Sequence, residues 1–303
     1  MRTVFIAICT LAAASSFNPA HAQKIYAFLV ADTNDKSAGG AFCANYKMMK
    51  KLVEEVDKVH KDATNVELEK VIGAQFNCRT IAARLNKYRI TRNDAVLFYY
   101  TGQGFQSSGK LPEFDCRRSW QDRNRVGLAS VVAHFAKAKP RLIVAMADAG
   151  NKRKSRRSGE LEDGKASFVE PRELPPDRVQ LLKKLFWEGK GVHKLTAAKM
   201  GEEAHFIAIK ERGNKKNKNN KNNKNNKNNK NNKNKDAICS DEDEEEKDLG
   251  GYFTNQFLAV LFAQSVAEVT WEKVLKAAAR PIPLPQERAP MQTPYVDSAK
   301  PQK

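Results

Sequence analysis

Residues 96–105 read VLFYYTGQGF, and this stretch decides the fold class. Five apolar or aromatic residues run without a break, and the chain then turns through Thr101-Gly102-Gln103-Gly104. The run is too short for a helix and rich in residues that favour strands, so it predicts a strand over 95–100 that is buried on both faces. Gln103 follows the strand end, where ligands bind in open α/β sheets, although a glutamine there is also an ordinary turn residue.

Other apolar runs alternate with helical patterns along the chain. Further strands are predicted at 24–32, 66–72, 141–147 and 191–197. Apolar residues at helical spacing predict helices at 46–59, 79–88, 126–138, 253–266 and 270–279. Strands that alternate with helices predict an α/β fold, with a mostly parallel sheet and helices on both of its faces.

The first 22 residues, MRTVFIAICTLAAASSFNPAHA, have the pattern of a secretory signal peptide. Arg2 gives a positive start, an apolar stretch follows, and Ala20-His21-Ala22 is a small-residue cleavage site. An uncleaved anchor is the alternative, but the polar and proline residues before the cleavage site disfavour it. We therefore predict a secreted or periplasmic protein whose mature chain starts near Gln23, with no later segment apolar enough to cross a bilayer.

The cysteines allow disulfides but do not indicate a metal site. Cys9 leaves with the signal peptide, and four cysteines follow it: Cys43, Cys78, Cys116 and Cys239. In an exported chain they can pair in three ways, among which the sequence does not choose. No cysteine or histidine cluster has metal-ligand spacing, so we predict no metal and no cofactor. Calcium at the acidic run 241–246 is the alternative, although its spacing is not that of a calcium loop.

The net charge of +18 comes mainly from two segments. Five basic residues lie within 152–157, and nine lysines lie within 214–235 without any acid. The rest of the chain is therefore close to neutral, and a basic groove for nucleic acid is not indicated.

The composition predicts one domain with two insertions. A domain over 23–280 is interrupted at 150–178 and 212–249, and a Pro-rich tail at 281–303 is expected to be extended. The second insertion contains the Asn/Lys repeat 214–235, which has no apolar residue to bury, so we predict that it is disordered.

Two of the predicted strands should bring their ends together. The strands at 95–100 and 141–147 are joined through a helix, and a right-handed crossover makes them parallel, with their carboxyl ends at one sheet edge. One end carries Thr101-Gly102-Gln103-Gly104 and the other carries Asp148-Ala149-Gly150-Asn151. Two glycine-containing loops across a crevice suit a nucleophile on one loop, a base on the other and backbone N–H groups that bind an oxyanion.

These loops resemble the catalytic loops of the caspase-like cysteine peptidases (peptidase C14 type), the clan of caspases, metacaspases and paracaspases. In that family the first loop reads Y-Y-[ST]-G-H-G, with the His as general base. The second reads D-x-C or Q-A-C, with the Cys as nucleophile. The matching positions here, 103 and 150, lie 47 residues apart, close to the family separation of about fifty.

Other segments resemble the same family in the same order. Phe42-Cys43-Ala44-Asn45 is similar to the metacaspase stretch G-C-x-N, and Gly250-Gly251-Tyr252-Phe253-Thr254 is similar to the segment G-G-x-F-T that opens the last core helix. Residues 195–204 resemble the small-subunit strand and the turn after it. The resemblance covers about 24–279 and implies a caspase-like three-layer sandwich.

Both catalytic positions depart from the family pattern. Gln103 stands at the His position and Gly150 at the Cys position. A glutamine cannot shuttle a proton as an imidazole does, and a glycine has no nucleophilic atom. His60 and His134 lie on predicted helices and are expected to be ordinary surface or core residues. The resemblance therefore implies a peptidase fold without a catalytic dyad.

Parts of a binding site remain at the same positions. Asp148 stands where metacaspases place the acid that receives an Arg or Lys side chain of the substrate, through a charge-assisted hydrogen bond. The alternative role for Asp148 is to cap a strand–loop junction. Gly104 and Gly150 could offer backbone N–H groups, and Gln103 could donate to a bound carbonyl. The predicted function is binding of peptides, with a preference for basic side chains, without cleavage.

We therefore predict a secreted caspase-like pseudo-peptidase that binds peptide or protein partners or pairs with an active relative. Homodimerisation through the last strand, as in the family, is a further expectation. One alternative is an active cysteine endopeptidase that uses displaced residues. Another is a charged extracellular protein that acts through its Asn/Lys repeat.

The basic stretch 152–157, KRKSRR, lies where caspase-like chains are cut between their two subunits. This position predicts a proteolytic nick site, and a solvated loop is the alternative.

Overall fold

The computed structural model describes residues 23–59, 65–106, 109–116, 125–150, 161–162, 176–205, 207–208, 239, 250–281 and 293–299. One sheet dominates it, built from β1 (Ile25–Ala31), β2 (Val66–Val71), β3 (Ala95–Thr101), β4 (Leu142–Asp148), β5 (Gly191–Thr196) and β6 (Tyr295–Ala299). The strand order is β2-β1-β3-β4-β5-β6. The first five strands run parallel, and β6 is antiparallel to β5.

Helices cover both faces of this sheet. They are α1 (Gly39–Lys58), α2 (Cys78–Leu85), α3 (Leu128–Ala136), α4 (Pro176–Leu182) with a π-helical turn (Lys183–Trp187), α5 (Tyr252–Phe262) and α6 (Trp271–Ala278). Helices α1, α4, α5 and α6 pack on one face, while α2 and α3 pack on the other. The predicted mostly parallel α/β sandwich of three layers is confirmed.

The central strands β3 and β4 are apolar up to their last residues, Thr101 and Asp148, because each face of the sheet carries its own core. In β3, Leu97 and Tyr99 pack towards α1 and α5. Phe98 and Tyr100 pack towards α2 and α3. All seven residues of β3, and all seven of β4, are buried. Uninterrupted apolar runs are what strands with two covered faces require.

Two helices differ from the predicted ranges. α1 begins at Gly39 rather than at residue 46, because it opens on two glycines, which are poor helix formers and hide its start. α4 begins at Pro176, inside the segment 150–178 that is predicted to be a loop. Proline is common in the first turn of a helix, and the short apolar face, Leu181 with Leu182, explains why spacing alone missed it.

The segment 281–303, predicted as a tail outside the domain, contributes the edge strand β6. Tyr295 pairs with Thr196 and Ala299 with Val192 across the antiparallel ladder. Thr293 just before the strand donates its N–H to the Glu202 carboxylate at 2.9 Å. Part of this segment therefore belongs to the sheet.

The four remaining cysteines form two disulfides, Cys43–Cys239 and Cys78–Cys116. Within the described residues no helix is both long and apolar enough to cross a membrane. Several predicted features lie outside the described residues: the signal peptide 1–22, His60, the basic stretch 152–157, the repeat 214–235 and the acidic run 241–246.

Candidate functional site

The carboxyl ends of β3 and β4 meet as predicted. The two strands are parallel neighbours, with Thr101 opposite Asp148 in the register. Gly102 donates its N–H to the backbone carbonyl of Asp148 at 3.3 Å. The loops that begin at these two residues therefore lie side by side at one edge of the sheet.

Glycine is required where the loops touch. A Cβ atom on Gly104 would lie 2.6 Å from the Gly150 carbonyl oxygen and 2.7 Å from the Ala149 Cβ. A Cβ on Gly102 would lie 2.6 Å from the Tyr100 hydroxyl oxygen. Contacts this short are closer than van der Waals packing allows, so neither position accepts a side chain without movement.

Gly150 is different, because its surroundings leave room for a side chain. The nearest neighbour of a Cβ atom built there would be the Ala204 backbone nitrogen at 3.5 Å. The Gly104 carbonyl oxygen would be 3.8 Å away. These are ordinary contact distances, so the position that resembles the nucleophile's position is open although it carries no side chain.

Gln103 lies between Gly102 and Gly104, the two positions at which a side chain would clash. Hydrogen bonds hold its backbone in place. The Gln103 carbonyl accepts hydrogen bonds from the Tyr100 hydroxyl at 2.7 Å and from the Asp115 N–H at 2.9 Å. The residue is half-buried. The loop therefore holds position 103 at the crevice whatever side chain it carries.

Asp148 is enclosed, with none of its surface exposed. One carboxylate oxygen, Oδ2, accepts from the Thr254 hydroxyl at 2.6 Å and from the Asn45 amide at 3.0 Å. The Thr254 backbone N–H also bonds this carboxyl group. Because Thr254 lies in the first turn of α5, Asp148 ties the start of that helix to the end of β4.

Burial raises the pKa of Asp148 to about 7, although the hydrogen bonds from Thr254 and Asn45 act in the opposite direction. The second oxygen, Oδ1, has no hydrogen-bond partner within the described part of the chain. Within that part, the groups bonded to Oδ2 are neutral. In this structure the carboxyl group is therefore a buried link between β4 and α5.

Asn45 completes a polar network behind the crevice. Its amide donates to the Thr101 hydroxyl at 2.9 Å, and its carbonyl oxygen accepts from the Gly251 N–H at 2.6 Å. The Tyr99 hydroxyl lies 2.6 Å from the Thr254 hydroxyl. These side chains are buried, and their hydrogen bonds join β3, β4, α1 and α5 at this edge.

Sequence reasoning missed the parts that Tyr99 and Thr254 play. Tyr99 appears only as an apolar residue of a buried run. Thr254 is identified only as the last residue of the segment that resembles G-G-x-F-T, without a role of its own. A threonine near the predicted start of a helix was the available signal, since hydroxyl side chains there often form hydrogen bonds.

Acidic residues line the neighbouring loop as well. Asp32 follows β1 and donates its N–H to the Thr101 carbonyl at 3.0 Å. Burial, followed by the nearby carboxylates of Asp35 and Asp115, raises the pKa of Asp32 to about 7. The edge beside Gln103 therefore carries several carboxyl groups that the motif comparison does not identify.

The histidines of the described residues have other partners. His134 on α3 lies 3.1 Å from the Leu85 carbonyl, at the end of α2. His193 on β5 bonds the Lys190 carbonyl at 3.1 Å. His205 is buried beyond the loop that approaches Gly150, and its carbonyl accepts from the Tyr252 N–H at 3.4 Å.

Comparison with models of known protein families finds no match for this chain. Comparison with curated proteins finds none either.

The chemistry of the crevice follows from what it contains. Position 103 carries an amide and position 150 carries only backbone. No group of three or more His, Cys, Asp or Glu side chains in the described residues is arranged to hold a metal ion. The arrangement offers backbone and amide hydrogen bonds, an open position at Gly150 and nearby carboxyl groups, which together suit binding.

Proposed function

We propose that this protein is a secreted caspase-like pseudo-peptidase, which binds peptide or protein partners at the crevice between the Gln103 and Gly150 loops and does not cleave them. The contact between the two loops supports this, since it puts the positions that resemble base and nucleophile side by side. The mostly parallel three-layer sandwich is the fold that the resemblance implies.

The state of the cysteines is the main support for the proposed absence of catalysis. All four cysteines beyond residue 22 are in disulfides. A cysteine peptidase needs a free thiolate as its nucleophile. With Gly150 at the nucleophile position and no free thiol elsewhere in the mature chain, displaced cysteine catalysis has no reacting atom.

The proposed preference for basic partners is supported by carboxyl groups other than Asp148 as well. Asp148 is bonded to α5 and closed off. Asp115 bonds the Gln103 carbonyl. The carboxylates of Asp35 and Asp115 lie near Asp32, which adds a further negative charge once it loses its proton at about pH 7. Ammonium and guanidinium groups form charge-assisted hydrogen bonds with such carboxylates, so partners with exposed lysine or arginine fit this edge.

The experiment compares the parent protein with the double variant Gln103→His, Gly150→Cys. Fluorogenic peptides with Arg, Lys or Asp before the scissile bond serve as substrates. We expect no turnover by the parent and cleavage after Arg or Lys by the double variant, because position 150 has room for a side chain. The single variants Gln103→His and Gly150→Cys are the matched controls and should each lack full activity.

A second measurement keeps the test independent of turnover. A peptidyl acyloxymethyl ketone with Arg or Lys at its reactive end should alkylate Cys at position 150 only when His is also present at 103. Binding of an unreactive Arg or Lys peptide to the parent is measured by calorimetry. Cleavage by the parent itself, or no peptide binding to it, contradicts the proposal.

A further inference from the structure

A cavity lies at the opposite edge of the sheet from the crevice. It has a volume of about 460 Å³ and is formed by the amino end of β5, the edge strand β6, the π-helical turn and the start of α6. Ligand sites for small molecules commonly have volumes of about 300–1,000 Å³. The crevice at the carboxyl edge makes no use of this space.

The floor of the cavity is aromatic and rigid. Trp271 is buried, with its indole N–H donating to the Leu185 carbonyl at 2.8 Å. The Phe186 ring meets the Trp271 ring edge to face at 5.0 Å between centroids. The His193 ring lies 6.4 Å from the Trp271 ring, tilted by 32°. These contacts fix the orientation of the two rings that line the cavity.

His193 is an uncharged part of this floor. Its Nε2 lies 3.1 Å from the Lys190 carbonyl, so this nitrogen donates. Its Nδ1 then accepts from the Ser298 hydroxyl at 3.3 Å. Burial lowers the pKa of His193, although the Lys190 carbonyl and Glu272 act in the opposite direction. A neutral ring does not repel a cation.

The rim of the cavity carries two carboxylates. Glu188 and Glu272 are exposed and have no ion-pair partner among the described residues. Lys184 also lines the cavity, but its ammonium already donates to the Val266 and Ala267 carbonyls, each at 2.9 Å. Lys190 is the remaining basic residue of the lining.

We propose that this cavity binds a small organic cation with an apolar body, such as an aromatic or alkyl amine. The ammonium lies between Glu188 and Glu272, and the body packs on Trp271. Trp271 and His193 give the apolar body an aromatic surface to pack on. Charge-assisted hydrogen bonds to the carboxylates add direction.

Calorimetric titration of the full chain tests this site with two probes of nearly equal shape. Phenethylamine carries the cation and phenylacetate the anion. We expect saturable binding of phenethylamine and none of phenylacetate. Glu188→Gln and Glu272→Gln should each weaken phenethylamine binding by about threefold to tenfold, since each removes a charge-assisted hydrogen bond to an exposed carboxylate.

Glu268→Gln is the matched control. Glu268 is exposed on the connection between α5 and α6 and pairs with Lys273 at 2.8 Å, and it does not line the cavity. This variant should bind phenethylamine like the parent, whereas Lys190→Gln should bind it more tightly. Far-ultraviolet circular dichroism verifies that each variant is folded.

Three results would overturn the inference: no saturable binding of phenethylamine in the millimolar range, preferential binding of phenylacetate, or equal affinities for the parent and both cavity variants. None of them bears on the crevice at the carboxyl edge, so the pseudo-peptidase proposal is tested separately.

Discussion

At the scale of single residues, Asp148 decides how the candidate site responds to pH. Its folded-state pKa is raised from the ordinary value of 3.8 to about 7 because the carboxyl group is buried. The protonated form is therefore favoured by folding. The stabilisation from this group is complete below about pH 4 and is lost as the pH rises to about 7.

Asp148→Asn should make the protein more stable above pH 7, by on the order of 2–4 kcal/mol. The amide keeps an acceptor for Thr254 and Asn45 but has no charge to bury. The free energy of unfolding is measured by urea titration at pH 5, 6, 7 and 8. The gain should increase from pH 5 to pH 7 and then level off, because the carboxyl group is ionised in the unfolded chain above about pH 4 but in the folded protein only above about pH 7.

Asp32→Asn is the comparison, since the pKa of Asp32 is also raised to about 7. Its effect should be smaller, because this side chain is only partly buried. A loss of stability for Asp148→Asn at pH 8 would show that the charged form is needed by the fold.

The two glycines at the loop contact form a second residue-scale test. Gly104→Ala should destabilise the protein by about 1–3 kcal/mol, because its Cβ would overlap the Gly150 carbonyl. Gly150→Ala should change stability by less than about 0.5 kcal/mol, because a Cβ there meets only ordinary contacts. Thermal unfolding of both variants is the measurement, and equal losses would contradict the loop geometry.

At the scale of secondary structure elements, α5 is attached to the sheet through Thr254. Its hydroxyl bonds Asp148 and lies 2.6 Å from the Tyr99 hydroxyl. The helix N-terminus therefore depends on side chains from other elements and not on a cap of its own, since Gly251 at the N-cap position has no side chain to accept from the first N–H groups.

Thr254→Val keeps the shape of this side chain and removes the hydroxyl. We expect a loss of about 1–3 kcal/mol, because two buried polar groups lose a partner. Hydrogen exchange of the α5 amides should accelerate at the start of the helix. Thr254→Ser is the control and should retain most of the stability, since it keeps the hydroxyl.

The elements also separate what sequence can predict from what it cannot. The apolar runs of β3 and β4 are enough to predict these strands. The position of Thr101 beside Asp148 follows from the right-handed crossover between them. The bond from Thr254 to Asp148 joins residues 106 positions apart, and no local pattern encodes it. β6 escaped prediction as a strand because an antiparallel edge strand needs little apolar sequence, and only Tyr295 and Val296 supply it.

At the scale of the whole molecule, two disulfides constrain the chain over different lengths. Cys78–Cys116 closes a loop with a sequence separation of 38, and Cys43–Cys239 closes one with a separation of 196. In the chain-entropy account, a longer loop removes more freedom from the unfolded chain.

Replacing Cys43 and Cys239 by serine should therefore cost more stability than replacing Cys78 and Cys116. We expect losses on the order of 5 and 4 kcal/mol respectively, if native strain is equal. Urea unfolding of the two double variants without reductant is the measurement. The reverse order would show that contacts around the sulfur atoms outweigh loop length.

The Cys43–Cys239 bond also closes residues 43–239 into a covalent ring, to which the segments before 43 and after 239 are attached. Cutting a ring once opens it but does not divide it. A protease that hydrolyses one peptide bond anywhere from 44 to 238, the basic stretch 152–157 and the Asn/Lys repeat included, leaves every atom of the polypeptide in one molecule. The two fragments of the nicked chain separate only when a reductant reaches the Cys43–Cys239 disulfide. The mass of the nicked protein under denaturing conditions therefore reports whether its surroundings are reducing.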